Sequence, residues 1–196
     1  MKNYGAMLDN LSWRGYEIKH FSTAQEAADY LDGQIHQSSV AFGGSVTIEE
    51  LGLYSRLSSH NEVISHWNGK APEDGMHTEV YISSVNGMAE TGEIINIDGT
   101  GNRVASTIFG HKRVYLVIGS NKIAPDYESA LWRARNISAP KNAQRLGKKT
   151  PCAIHADRCY DCKSPERICR ALTVLWERPK GIEHMELIFV DQELGY

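Results

Sequence analysis

The 196-residue sequence predicts an α/β fold in three layers: a mainly parallel sheet with helices on both faces. Three observations predict it. Apolar, β-branched runs of strand length, such as "SSVAF", "EVYISSVN" and "KRVYLVIG", alternate with segments whose apolar residues recur at helical spacing. The intervening helical segments have the length of βαβ connections. Several strands also run directly into glycine-bearing loops, as strands of open parallel sheets do at their ligand-binding ends.

Each element follows from local pattern. Met7, Leu8 and Leu11 predict a helix from about Asn3 to Trp13, closed by Gly15, and "YEIKHF" alternates as a short strand. Ser22 and Thr23 are cap candidates for a helix through Ala27, Ala28 and Leu31. After "SSVAF" and Gly43-Gly44, Thr47 is placed to cap a short helix through Glu49, Glu50 and Leu51, and "EVIS" reads as a strand. "HWNGKAPEDGMHT", punctuated by Gly69, Pro72 and Gly75, predicts a mobile loop. "EVYISSVN" is a strand, "GMAETGE" turns into the strand "EIINI", and "DGTGN" follows as a loop. "RVASTIFG" is helical, "KRVYLVIG" a strand, and "SNKIAPDYESALWRARNI" a loop and then a helix. "ALTVLWE" and "MELIFV" read as late strands, expected with the cysteine segment between the helix and them to form an appendage at one edge.

Composition narrows the function classes. No linker-like or low-complexity run divides the chain, so one domain over residues 1–196 is expected. The formal net charge of −3 argues against non-specific binding to nucleic acid or to an anionic membrane. With neither a secretory h-region nor a run of about 20 apolar residues, a cytoplasmic protein is expected. In that compartment clustered cysteines read as metal ligands or redox groups.

Three strand ends carry loops with special chemistry: "VAFGGS", "IINIDGTGNR" and "YLVIGSNK". They are expected to border one crevice beyond the carboxyl ends of the strands. Gly43 and Gly44 would let backbone N–H groups approach an anion, with Ser45 and Thr47 adding hydroxyls. The second loop contributes Asp98, Gly99, Gly101, Asn102 and Arg103, with Arg103 as charge partner; the third contributes Asn121 and Lys122. Taken singly, each loop also reads as ordinary turn chemistry. Glu50 is the catalytic candidate, as a base or metal ligand, or is simply an acid that complements a helix dipole. The G-x-G at 99–101 lacks its third glycine, Val104 standing there, so no NAD(P) is expected. A small carboxylate or a phosphate-bearing ligand fits better. The histidines are scattered without an H-x-x-x-H pair, and neither a G-x-S-x-G elbow nor a Walker lysine loop is present.

All four cysteines fall in a segment at 150–170, as C-x6-C-x2-C-x6-C: Cys152, Cys159, Cys162 and Cys169. Four soft thiolates select zinc or an iron–sulfur cluster over hard cations. Free buried thiols or a regulatory disulfide are the plainer alternative. Zinc tetrathiolates usually use two C-x2-C knuckles, and this segment has one, which favours a four-iron cluster over zinc. Ser164 and Pro165 predict a capped helix through "ERICRAL", with Cys169 projecting from it. Arg158, Lys163, Arg167 and Arg170 would offset the negative charge of such a centre.

Together, "VAFGGSVTIEELG", "NIDGTGNRVA", "GSNKIAPD" and "CYDCKSPERIC" resemble the LUD-domain family of lactate-utilization proteins (formerly DUF162), over about Leu8 to Gly195. The resemblance implies a fold like that of the ribose-5-phosphate isomerase and CoA-transferase superfamily. It also implies a part in oxidising L-lactate to pyruvate beside iron–sulfur electron-transfer partner proteins, and it carries over no catalytic residue. Three functions stand: a redox accessory or subunit with an anion crevice and a cluster, a non-redox isomerase- or CoA-transferase-like enzyme with structural zinc, and a non-catalytic binding module.

Overall fold

The computed structural model describes residues 4–65 and 69–196. Local chemistry shapes its first half. α1 (Gly5–Trp13) buries Met7 and Leu11, one turn apart, and leads into β1 (Glu17–Phe21). α2 (Ala24–Gln34) opens on a capping box. Thr23 Oγ1 accepts from the Glu26 amide at 3.2 Å, and Glu26 Oε2 accepts from the Thr23 amide at 3.0 Å. β2 (Ser39–Phe42), α3 (Val46–Glu50), α4 (Leu53–Leu57) and β3 (Glu62–Ile64) follow. Ser45, not Thr47, is the N-cap residue of α3; the Thr47 hydroxyl is drawn away, donating to the Leu194 carbonyl at 3.2 Å. The expected mobile loop begins at residues 66–68, which lie outside the described residues. Its later part, Pro72–His77, is a 3-10 turn entered through Pro72.

The second half begins with β4 (Val80–Ser84), β5 (Gly87–Ala89) and β6 (Ile94–Asp98). α5 (Asn102–Ser106), β7 (Arg113–Gly119) and the short β8 (Ile123–Ala124) come next. α6 (Tyr127–Arg133) passes through one π-helical turn, Ala134–Ser138, into α7 (Ala139–Arg145). α8 (Pro151–His155), β9 (Ala171–Leu175) and β10 (His184–Val190) complete the chain order.

Six strands form one all-parallel sheet in the order β1-β10-β7-β4-β2-β3. Its inner strands are buried on both faces and therefore read as nearly continuous apolar runs. β10 is no edge appendage. It lies between β1 and β7, because the run Met185–Val190 is buried on both sides and needs cover on both. On one face α2, α3 and α4 pack Leu31, Ile35, Ile48, Leu53 and Leu57 against Val40, Ile82, Val117 and Ile188. The opposite face takes α1 and a second, mixed sheet in the order β8-β5-β6-β9. Met88, Ile94 and Leu175 of that sheet meet Leu116, Ile118 and Leu187 of the first. Its other face is covered by Ala130 of α6 and Ala134 of the π-helical turn. The three-layer α/β architecture thus stands, with a small sheet beside the helices in one outer layer. Among the described residues, no helix is long and apolar enough to cross a membrane.

Candidate functional site: a cationic crevice beside a cysteine cavity

A crevice of about 720 Å³ opens beyond the carboxyl ends of β2, β4 and β7. Gly44, Ser45, Asp98, Gly99, Asn102, Arg103 and Lys122 line it, so all three loops singled out in the sequence reach it. One of them arrives by a different route from that expected: "DGTGN" leaves β6 of the second sheet rather than a neighbouring strand of the first. Gly43, Gly101 and Asn121 do not line the crevice. The Gly43 amide donates to the Ile82 carbonyl, and Gly101 is the left-handed N-cap of α5. Asn121 holds the C-terminal segment, donating to Gly195 O at 3.3 Å and accepting from the Leu194 amide at 3.2 Å. Glu50 is exposed, does not line the crevice, and accepts from the Gly195 amide at 2.8 Å.

The crevice is lined by more basic than acidic side chains, Arg103, Lys122, Arg145, Lys148, Arg167 and Arg170 against Asp98 and Glu166. Its acids are satisfied within the chain: Asp98 accepts from the amides of Gly99, Arg103 and Val104 at 2.7, 2.9 and 3.2 Å, and so caps α5. Glu166 accepts from the Lys149 amide at 2.8 Å. The lining cations Arg145, Lys148 and Lys122 have no carboxylate partner among the described residues. Arg103 is different, because its guanidinium is spent on the protein. It donates to Asn96 Oδ1 at 2.8 Å, to Asn86 Oδ1 at 2.9 Å, and to the carbonyls of Ile97 and Ser84. It shapes the crevice floor rather than offering a free fork.

The four cysteines line a second cavity, of about 220 Å³, with Leu131, Pro140 and Leu172 among its apolar walls. All four are half-buried free thiols. They are not drawn together: among the described residues, no three of their sulfurs lie within 4.8 Å of one another. The expected helix after Ser164 does not form. Ser164 Oγ accepts from the Glu166 amide in a tight turn, and the Arg170 amide is taken by the Asp98 carbonyl, where β9 begins to pair with β6. A helix instead carries the first cysteine, Cys152 in α8, started by Thr150 and Pro151.

Several features of the cavity suit soft-metal ligation. Asp161, inside the C-x2-C, holds φ at +46°, a left-handed conformation unusual for a residue with a side chain. That turn aims the Asp161 amide at Cys159 Sγ, 3.4 Å away. Arg167 lies 3.4 Å from Cys169 Sγ and donates to the Cys162 carbonyl at 2.9 Å. Its Nε is buried without a hydrogen-bond partner among the described residues. Arg135 and Asn136, which the sequence did not single out, also serve this cavity. Arg135 Nη2 is 3.8 Å from Cys159 Sγ, and Asn136 Oδ1 accepts from the Cys159 amide at 3.1 Å. Both sit in the π-helical turn, whose altered rotation presents side chains that a regular helix would point elsewhere.

The two cavities share a wall. Ile97, Ala139, Arg167, Ile168 and Arg170 line both. At Gly99 the loop and the cysteine segment touch backbone to backbone: a Cβ there would lie 2.9 Å from the Ile168 carbonyl oxygen and 3.3 Å from its Cα. Gly99→Ala is therefore expected to destabilise the protein by roughly 1–3 kcal/mol, read as a lowered urea midpoint. Neither backbone can yield cheaply, so an unchanged midpoint would contradict this contact.

Comparison with known proteins places the chain. The model of the LUD domain matches residues 5–190. No curated protein matches the chain. Among solved structures, the chain is similar to a DUF162 family protein from Deinococcus radiodurans, at 13% identity and a TM-score of 0.56. The alignment covers 97% of this chain and 99% of that one.

Proposed function

The chain belongs to the LUD domain family, which is associated with lactate utilization, and on that footing we propose that it is a redox accessory or subunit in the oxidation of L-lactate to pyruvate. In this reading the crevice holds a small carboxylate, and Cys152, Cys159, Cys162 and Cys169 hold a four-iron cluster. The observation that carries it is the shared wall, which sets a positive crevice and a four-thiol cavity one residue layer apart. When bound, the cluster supplies a one-electron store.

The chain's own residues do the rest. Lys148 and Arg145 attract the carboxylate, with their charge unpaired by any described acid. Arg135, Arg167 and the Asp161 amide face sulfur and place hydrogen-bond donors and positive charge beside it. The single C-x2-C knuckle, where zinc tetrathiolates usually use two, favours a cluster over zinc in this reading. Iron–sulfur proteins that exchange electrons are the expected partners.

The size of the crevice favours a second reading of its ligand. A three-carbon acid fills a small part of 720 Å³, while pockets of about 300–1,000 Å³ commonly suit larger molecules. A phosphate-bearing ligand would use the same cations. Anaerobic purification, followed by iron, sulfide and zinc analysis and by calorimetric titration with L-lactate and pyruvate, tests the proposal. Iron with matching sulfide and measurable heat are expected. A colourless protein with one zinc per chain overturns the cluster, and a response to phosphate compounds alone overturns the carboxylate.

A further inference from the structure

Lys122 is the one buried ammonium group in the crevice wall, and the proposed function makes no use of it. It ends the 3-10 turn Ser120–Lys122 after β7 and is 3% exposed. Its Nζ lies 2.7 Å from Thr47 Oγ1 and 2.8 Å from Ser84 Oγ. Each hydroxyl has a single hydrogen, and both hydrogens are committed elsewhere. Thr47 donates to the Leu194 carbonyl at 3.2 Å and Ser84 to the Val117 carbonyl at 2.6 Å. Both oxygens therefore present lone pairs, and Nζ must donate to each.

That assignment fixes the rest of the amine. No third acceptor lies within hydrogen-bond distance of Nζ among the described residues. In the neutral form both N–H groups are taken by the hydroxyls, and the remaining tetrahedral position belongs to the lone pair. Burial, reinforced by Arg133 and Arg103, pushes the ammonium down to about 7 against the opposing pull of Glu50. Two hydroxyls with locked hydrogens thus hold an amine as a nucleophile.

We propose that Lys122 forms a reversible imine with the carbonyl carbon of a 2-oxo acid held in the crevice, an inference that rests on the reading of the crevice as a small-carboxylate site. The Nζ–C bond forms as the carbonyl π pair moves to oxygen, and the nitrogen's proton passes to that oxygen. The resulting carbinolamine loses its hydroxyl as water as the C=N bond forms. Addition of water reverses the sequence, so no oxidant or reductant is needed. Thr47 and Ser84 are positioning residues. Gly195 belongs with them: at φ +57°, a Cβ there would lie 2.6 Å from Thr47 Oγ1.

The test uses the full chain, pyruvate as the probe and borohydride to trap the imine, read by intact mass and peptide mapping, with calorimetry in parallel. One reduced pyruvate adduct on Lys122 is expected, absent from Lys122→Arg. Heat of binding with no adduct on Lys122 overturns this inference and leaves the carboxylate site standing. Neither heat nor adduct overturns both. Adducts spread over other lysines and retained in Lys122→Arg also overturn it. Should Lys122→Arg fail to fold, Thr47→Val serves, with trapping expected to slow roughly tenfold for the loss of one orienting acceptor; an unchanged rate overturns the geometry.

Discussion

Arg103→Ala is expected to cost roughly 3 kcal/mol of stability, seen as a lowered urea midpoint at unchanged slope. The guanidinium joins the Ser84 carbonyl of the first sheet, Asn96 and the Ile97 carbonyl of the second, and Asn86 in the link between β4 and β5. Its removal leaves several acceptors facing a gap, and orphaned polar groups are penalised more than the bonds themselves are worth. Lysine cannot rescue it, since one ammonium lacks the planar fork that spans separate acceptors. Arg103→Lys should therefore recover little. A variant that kept full stability but lost affinity for small carboxylates would show instead that the guanidinium is free to meet the ligand.

The second large effect is a pH dependence that Lys122→Met removes. The folded protein holds this ammonium down to about 7 through burial first, while in the unfolded chain it titrates near its ordinary 10.4. Between those values the unfolded state binds the additional proton, so stability rises with pH across that window. The contribution is complete above the unfolded value and is lost as pH falls to the folded one. The slope is about 1.4 kcal/mol per pH unit. Denaturant titrations of the wild type and Lys122→Met from pH 6 to pH 10 should diverge in this sense. Below pH 7 the variant should be the more stable, because it no longer buries a charge without a carboxylate partner. Parallel curves would show that Lys122 stays protonated.

Much of the fold is legible from local pattern. α2 announces itself through Thr23 and the spacing of Ala27, Ala28 and Leu31, and β7 and β10 announce themselves as strands through their apolar runs, though not β10's place inside the sheet. The second sheet is hidden because β5 has three residues and β8 two, too few for any periodicity to register. They exist through pairing, not propensity. The failed helix after Ser164 has the same origin: a sound cap and a proline lose to the pairing of Ala171–Leu175 with β6. At the site, loop residues could be read as a group because glycines mark strand ends. Which of them face the crevice could not. Asn121 and Glu50 are occupied by the Leu194–Gly195 segment, distant in the chain. Arg135 and Asn136 reach Cys159 only through a π-helical turn, a local rewinding that leaves no clear mark on composition.

The position of β10 has a consequence for how the protein is made. Both of its neighbours, β1 and β7, are synthesised earlier, and neither pairs with the other. Until β10 emerges, β1 has no partner in the sheet, and β7 exposes one edge of hydrogen-bonding groups. Closing β1 onto β10 joins residues 17–21 to 186–190, a long-range contact of the kind that slows folding. The cysteine segment is complete before that closure, so its thiols precede the last core strand out of the ribosome. Loading of a metal and closure of the sheet are then separate events in time. A nascent chain stalled before residue 184 should expose its thiols to alkylation while its β1 amides still exchange freely.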